Sequence, residues 1–407
     1  MLPIGLRTLD GLAVSGKRVL LRADLNVPMQ DGQVSDTLRI ERHAPTIREL
    51  CNSGARVVVL SHFGRPKGRP VPSMSLGPVV AALSAAVGRP VAFAQNWIGD
   101  EAQNAIAGLK NGDILLLENM RFHAGEEAND PEFARAVASL GDVFVNDAFS
   151  AAHRAHATTE ALAHLLPSAA GRAMEAELAH LHRALDRPER PLMAVVGGAK
   201  ISTKIALLGN LIRRVDVLVV GGAMANTFLA AQGLEIGKSL FELNQLAMAR
   251  DILAAAKEQG AALVLPLDVV VAREFKPDAQ SRVVGVKSVA ADEMILDVGP
   301  ETIDAFLARL EQTRTLVWNG PLGAFETPPF ARGTIEAAKH AAARTRANKL
   351  MSVAGGGDTV AALAMAGVTE QFSYVSTAGG AFLEWLEGRE LPGVAALRQF
   401  KGNEDNE

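Results

Sequence analysis

The sequence predicts an α/β protein made of two doubly wound, Rossmann-like parallel-sheet domains joined by a helix. Short apolar runs alternate with longer helix-period segments from one end of the chain to the other. The runs are apolar on both faces, as expected of parallel strands covered by helices on each side. The 407 residues exceed one typical core, and two sheets fit that length better than one of eleven strands.

Taken in order, the first half offers strands at Arg18–Ala23, Arg56–Leu60, Val91–Phe93, Ile114–Leu117 and Val143–Val145. The second half offers Leu192–Val196, Val215–Val220, Ala262–Leu265, Thr315–Trp318, Leu350–Val353 and Ser373–Val375. Alternation with helices implies right-handed βαβ units. Between the halves, Arg172 to Leu185 is a strong helix former that ends at the proline-bearing turn Asp186–Pro191. The expected layout is therefore an N-terminal domain over 1–171, a connecting helix over 172–190 and a C-terminal domain over 191–391. A polar tail over 392–407 completes it, expected to fray at its end.

Composition narrows the function classes. Lys and Arg number 41 against 45 Asp and Glu, a net charge of −4, with 21% charged and 48% hydrophobic residues. Nothing in that balance favours a nucleic-acid or membrane partner, so any anion site must be built locally. The single cysteine, Cys51, excludes an intrachain disulfide framework and a cysteine zinc site, and reads as an inert buried thiol. The N-terminus lacks a signal-peptide pattern, and the apolar stretch Val217 to Leu234 is broken by Asn226, Thr227 and Gln232. A cytoplasmic protein is expected.

In open parallel sheets, ligands bind beyond the carboxyl ends of the strands. In the first half those ends deliver Asp24 and Asn26, His62 and Arg65, Arg121, then Asn146, Asp147 and Arg154, while Arg39 opens a helix after a turn. Guanidinium forks suit bidentate capture of phosphate and carboxylate, so a small, strongly anionic substrate is expected. Whether His62 is charged or serves as a neutral hydrogen-bonding group stays open.

The second half ends its strands differently. Val353-Ala354-Gly355-Gly356-Gly357-Asp358-Thr359-Val360 reads as strand, glycine turn and helix start. The glycines let backbone amides approach a ligand, and the helix N-terminus attracts an anion. Asp358 beside a phosphate calls for an intervening cation, Mg²⁺ being the usual choice; otherwise it is an N-cap. Lys200 and Lys204, four apart after Gly197-Gly198, are expected to share one helix face and to meet a polyphosphate there. Asn319 and Glu326 follow the strand ending at Trp318 and suit a ribose or base, although a Glu there also fits a helix cap. Gly233–Ser239 misses the P-loop spacing, and no Gly-x-Gly-x-x-Gly is present.

These segments, in this order and across essentially the whole chain, resemble phosphoglycerate kinase. They include Arg22–Pro28, Ser61–Pro66, Asn119–Phe122, Val145–Phe149 with Ala152–His156, Gly197–Lys204, Met224–Phe228, Val317–Glu326, Gly355–Thr359 and Ser376–Gly380. The resemblance implies reversible, Mg-dependent phosphoryl transfer between ATP and the carboxylate of 3-phosphoglycerate, giving ADP and 1,3-bisphosphoglycerate. It also implies a monomer whose two domains close about a hinge, with the acid on the N-terminal domain and the nucleotide on the C-terminal one. Substrate contacts then fall on Asp24, Asn26, Arg39, His62, Arg65, Arg121 and Arg154. Nucleotide contacts fall on Lys204, Asn319, Glu326, Gly355, Gly356, Gly357, Asp358 and Thr359, with Asp358 near Mg²⁺. Arg39, Lys200 and Gly356 become the catalytic residues. Ala223 and Ala378 stand where the family usually has glycine, and alanine fits there only if φ is negative.

An acceptor carboxylate is already ionised at neutral pH, so the chemistry needs positioning and charge stabilisation rather than a general base. Two other readings are a hinge-closing binding protein that captures an anion without chemistry, and a dehydrogenase. The first leaves Lys200, Lys204 and the glycine–Asp loop unexplained, and the second lacks the dinucleotide fingerprint.

Overall fold

A computed structural model describes residues 5–96 and 99–398. The chain divides into two compact units, one of Met1–Ala179 with Glu390–Glu407 and one of His180–Arg389. Each unit is built around a six-stranded sheet whose pairings are all parallel. All eleven expected strands are present, their ends shifted by at most two residues.

In the first unit the strand order is Val91–Ala94, Ile114–Leu117, Arg56–Leu60, Arg18–Arg22, Val143–Asn146, Ser168–Ala170. Leu20, Leu21, Val57, Val58, Val59, Leu116 and Val145 are fully buried. Covering both faces at about 1.5–3 kcal/mol per large side chain is what makes such continuous apolar runs stable as central strands. Register places Arg22 beside Leu60 and beside Asn146, so the residues that follow each strand emerge along one edge. The chain adds Arg56–Leu60 on one side of the first strand and returns only later to add Val143–Asn146 on its other side, which makes that edge a topological switch point.

The second unit repeats the plan with Ala262–Val264, Val217–Val220, Leu192–Val196, Thr315–Asn319, Met351–Gly355, Tyr374–Ser376. Here Gly197, Gly221, Gly320 and Gly356 each follow directly on a strand. The unit also holds a three-stranded antiparallel sheet, Ser281–Gly285, Asp268–Ala272 and Met294–Val298, that the sequence did not reveal. Ser281–Gly285 is largely exposed, so it lacks the continuous apolar signature.

The connecting helix, Arg172–Leu185, starts where expected because Asp147 builds its first turn. The fully buried Asp147 carboxylate accepts the amides of Ala173 at 2.8 Å and Met174 at 3.2 Å, and lies 2.8 Å from His43 Nδ1. The division between the units falls inside this helix, after Ala179. Residues 392–398, expected as tail, are ordered against the first unit. Pro392–Ala395 is a helical turn, and the Gly393 amide donates to Ala152 O at 2.8 Å. The expected fraying at Lys401–Glu407 lies outside the described residues.

Cys51 is buried on the helix Leu38–Asn52, and burial pushes its thiol up to about 11, as an inert cysteine requires. Among the described residues no helix is long and apolar enough to cross a membrane.

Replacing Asp147 by Ala should strand two helix amides and the His43 N–H inside the first unit. The expected cost is about 2–4 kcal/mol, a fall of roughly 5–15 °C in that unit's Tm. Calorimetry of the variant showing an unchanged transition would mean that the carboxylate does not hold the helix.

Candidate active site

At the edge of the first sheet, buried charge is arranged around side chains that stay neutral. Arg22 is completely buried; it donates through Nε to Thr158 Oγ1 at 3.0 Å and through Nη2 to His62 Nδ1 at 3.0 Å. A guanidinium can only donate, so His62 Nδ1 is the acceptor and Nε2 carries the proton. Burial, reinforced by Arg22, also drives the His62 pKa well below its ordinary value. The question the sequence left open is settled: His62 is a neutral donor. Its neighbour His43 is fixed in the other tautomer, accepting the Asp24 amide at Nε2 (3.0 Å) and donating from Nδ1 to Asp147. A chain of hydrogen bonds thus ties the helix-capping carboxylate to the turn that carries Asp24.

Asp24 is buried and accepts from the Asn26 amide (3.0 Å), Arg39 Nη1 (3.3 Å) and the Ser150 hydroxyl. Burial pushes its carboxyl up, but Arg39, the Ser150 hydroxyl and the Asn26 amide hold it below the usual carboxylate range. With His62 neutral, Arg39 is the charge that matters. Arg39 also donates to Asn26 O at 2.9 Å, while Asn26 Oδ1 accepts the Gly64 amide at 3.0 Å. Asp24 and Asn26 therefore orient Arg39 and the Gly64 turn as much as they face a ligand.

Arg121 is buried on the turn Met120–Phe122 and donates to Gly64 O at 2.8 Å. Burial, then repulsion from Arg22, brings its guanidinium down to about 10. His156 falls to about 3 through burial and the charges of Arg121, Arg22 and Arg154. Arg65 is exposed and makes no hydrogen bond or ion pair among the described residues. Arg22, Arg121 and Arg154 so form one electropositive cluster, with neutral His62 and His156 among them, whose mutual repulsion an anion would relieve. Arg22, Ser150 and His156 were not singled out from sequence. Arg22 lies within an apolar strand run, and Ser150 is brought to Asp24 only by the fold.

In the second unit, one expectation fails. Lys200 and Lys204 share no helix face, because the α-helix begins only at Ile205 and a separate 3₁₀ turn, Ile201–Thr203, lies between the two lysines. Lys200 is exposed, whereas Lys204 turns back and donates to Gly197 O at 2.6 Å and Asn319 Oδ1 at 2.7 Å. Burial lowers Lys204 to about 8, with Asp358 pulling the other way. Asn319 Nδ2 donates to Gly355 O at 2.7 Å, and Thr359 Oγ1 accepts the Gly320 amide at 2.7 Å. Asn319 and Thr359 thus brace the glycine loops against each other.

The helix after those loops spans Gly357–Met365, with Gly356 at its N-cap at φ +98°. Asp358 caps nothing: it stands in the first turn, exposed and without a hydrogen bond. Glu326 is likewise exposed and caps no helix. Ala223 and Ala378 both have negative φ; the left-handed positions belong to Gly222 and Gly379, so alanine is accommodated. Gly237 in the P-loop-like segment packs against the backbone of Ala290 and Glu293.

A cavity of about 390 Å³ opens here, within the usual range for a small-molecule site. Gly198, Ala199, Gly222 and Asp358 line part of it; Leu240, Phe275, Leu296 and Phe325 provide apolar walls, and Glu326 also lines it. Half of those walls come from the antiparallel sheet and its loops. Asp297, also lining the cavity, was not foreseen; burial raises it to about 7, against the amides of Gly333 and Val298 that hold it.

The family model for phosphoglycerate kinase matches residues 9–389. The chain belongs to the phosphoglycerate kinase family. It is 62% identical to the phosphoglycerate kinase of Methylorubrum extorquens strain PA1 over 393 residues, covering 96% of this chain and 98% of that one. It is 62% identical to that of Rhizobium meliloti strain 1021, covering 97% and 99%. Among solved structures it resembles phosphoglycerate kinase from Coxiella burnetii, at TM-score 0.90 and 44% identity over 96% and 98% of the two chains. The archaeal enzyme from Pyrococcus horikoshii OT3 follows at TM-score 0.80 and 31% identity over 97% and 98%. The chain is therefore a kinase of the glycolytic family that transfers a phosphoryl group between ATP or ADP and 3-phosphoglycerate or its 1,3-bisphosphate. Its substrates are small molecules.

Two outcomes follow from this geometry. A Cβ on Gly355 would stand 2.6 Å from the Phe382 ring, while one on Gly357 meets nothing within 4 Å. Gly355→Ala should lower the second unit's Tm by several degrees. Gly357→Ala should leave Tm unchanged and still weaken ADP binding by about tenfold or more, because only the ligand needs that space. Normal ADP affinity in Gly357→Ala, measured by calorimetry, would remove the ligand argument.

The second outcome concerns acid. His156 binds its proton less readily when folded than when unfolded, so its contribution is complete above about pH 6.5 and is lost as pH falls toward about 3. Thermal scans of His156→Gln should therefore show a shallower acid-side loss than the parent; identical slopes would contradict the buried neutral ring.

Proposed function

We propose that the electropositive edge of the first unit holds 3-phosphoglycerate through Arg65, Arg121, Arg154 and neutral His62, with Asp24, Asn26 and Arg39 completing the site. The glycine-lined cavity of the second unit holds the nucleotide, its base between the apolar walls, its ribose at Glu326 and its phosphates at Lys204 and Gly355 to Thr359. The carrying observation is Asp358: an exposed first-turn carboxylate without a hydrogen bond, its charge felt by Lys204, lining a cavity whose neighbouring walls are glycine and alanine.

In this reading the division of labour between domains, 1–171 for the acid and 191–391 for the nucleotide about the helix 172–190, follows the two sheet edges. Transfer then requires the two units to close on one another about that helix. The acceptor carboxylate attacks unaided; Arg39, Lys200 and the Gly356 amide balance the charge that spreads over the transferring phosphoryl group. His62 contributes a hydrogen bond without adding charge.

A magnesium ion fits one carboxylate and the nucleotide's own oxygens better than a protein cage. Among the described residues no three His, Cys, Asp or Glu side chains gather to hold a metal, and Asp358 stands free beside the phosphate end. The ion would supply charge neutralisation between the phosphates. The protein acts as a cytoplasmic monomer in this reading, a state that sedimentation equilibrium tests.

Asp358→Asn should weaken MgADP binding and leave metal-free ADP unaffected or improved, because the carboxylate repels phosphate unless a cation intervenes. ADP titrations with and without Mg²⁺ decide the matter. Equal weakening in both would assign Asp358 a role in the helix alone.

A further inference from the structure

Among the described residues the Lys200 side chain makes no hydrogen bond or salt bridge, although its charge is felt by Glu242, and the turn after it is held with care. That turn, Ile201–Thr203, begins with amides that no neighbouring side chain caps. The acceptor comes from 40 residues away: Glu242 takes the Ser202 amide at 2.9 Å and the Ser202 hydroxyl. Thr203 closes the turn from inside, its hydroxyl donating to Lys200 O at 2.9 Å.

Glu242 is itself anchored. Its own amide donates to Thr227 Oγ1 at 3.1 Å, and two residues earlier Leu240 O accepts from Asn226 Nδ2 at 3.1 Å. Asn226 and Thr227 are buried on the helix Ala223–Ala231. Leu240, by contrast, is exposed and lines the nucleotide cavity. One short segment therefore presents an apolar wall at one residue and a turn-capping carboxylate two residues later.

We infer that Glu242 is the positioning residue for Lys200: it locks the Ile201–Thr203 turn and joins it, through the Leu240 segment, to the wall of the nucleoside cavity. This rests on the reading of Lys200 as the residue that steadies the transferring phosphoryl group. Two carboxylate oxygens, one on the Ser202 amide and one on its hydroxyl, match the unpaired donors at the start of a helical turn. Without them the backbone carrying Lys200 gains freedom, and a displacement of about 1 Å at such a group costs up to roughly 100-fold in rate. Glu242 is half-buried, so its loss spares the core.

The test is a double-mutant cycle on the full-length enzyme with ATP and 3-phosphoglycerate. Glu242→Ala should lower kcat about 10- to 100-fold with both KM values within about threefold and an unchanged Tm. Ser202→Ala, which removes one of the bonds, should fall between it and the parent. Added to Lys200→Ala, Glu242→Ala should cause no further loss. If the two losses instead multiply, or if Glu242→Ala raises KM while sparing kcat, Glu242 does not act through Lys200. If Lys200→Ala alone turns over normally, the reading of Lys200 fails first, and that result is distinct from the other two.

Discussion

Parallel pairing is the constraint from which the rest of this molecule follows. A parallel sheet needs a crossover between strands, so every strand leaves by the same edge and both faces must be covered. The register that puts Arg22 level with Leu60 and Asn146 therefore delivers Asp24, His62 and Asp147 to one place although they are widely separated in sequence. The second sheet delivers four glycines in the same way. Chemistry gathers at those edges because the backbone has nowhere else to turn.

The first edge shows how a protein concentrates positive charge without unfolding itself. Arg22 is buried but spends its donors on Thr158 and His62. His62 and His156 shed their protons, which limits the repulsion that a further charge would add. Asp24 remains ionised against its burial because Arg39 and Ser150 meet it. The result is an edge whose charge is fixed by geometry before any anion arrives, so binding need not reorganise it.

Much of this was legible in the sequence, and the failures have physical causes. The eleven parallel strands were visible because continuous burial leaves continuous apolar runs. Ser168–Ala170 and Ser281–Gly285 were not, since small residues and an exposed strand carry no such signal, while the buried apolar run Asp268–Ala272 was missed despite it. Arg121 and Arg154 stood out because they follow strand ends, and Arg39 because it opens a helix after a turn. Arg22 did not, because it lies inside a strand. The lysine pair was misjudged since spacing of four implies a shared face only on a continuous α-helix, and a 3₁₀ turn interrupts it. Asp147 was placed at the right edge, but its partners, a helix start and His43, depend on tertiary contact.

The contrast between the two edges has a consequence for how the protein can change. In the nucleotide site we propose, recognition would rest largely on main chain: Gly197, Gly320, Gly355 and Gly356 each have a neighbour closer than 3 Å to where a side chain would begin. At those four positions mutation has almost nothing to vary, because any replacement is first a packing fault. In the proposed acid site it would rest on side chains, and exposed Arg65 can be exchanged without disturbing a buried neighbour. Drift and laboratory selection alike should therefore find new acceptors for this scaffold far more readily than new phosphoryl donors.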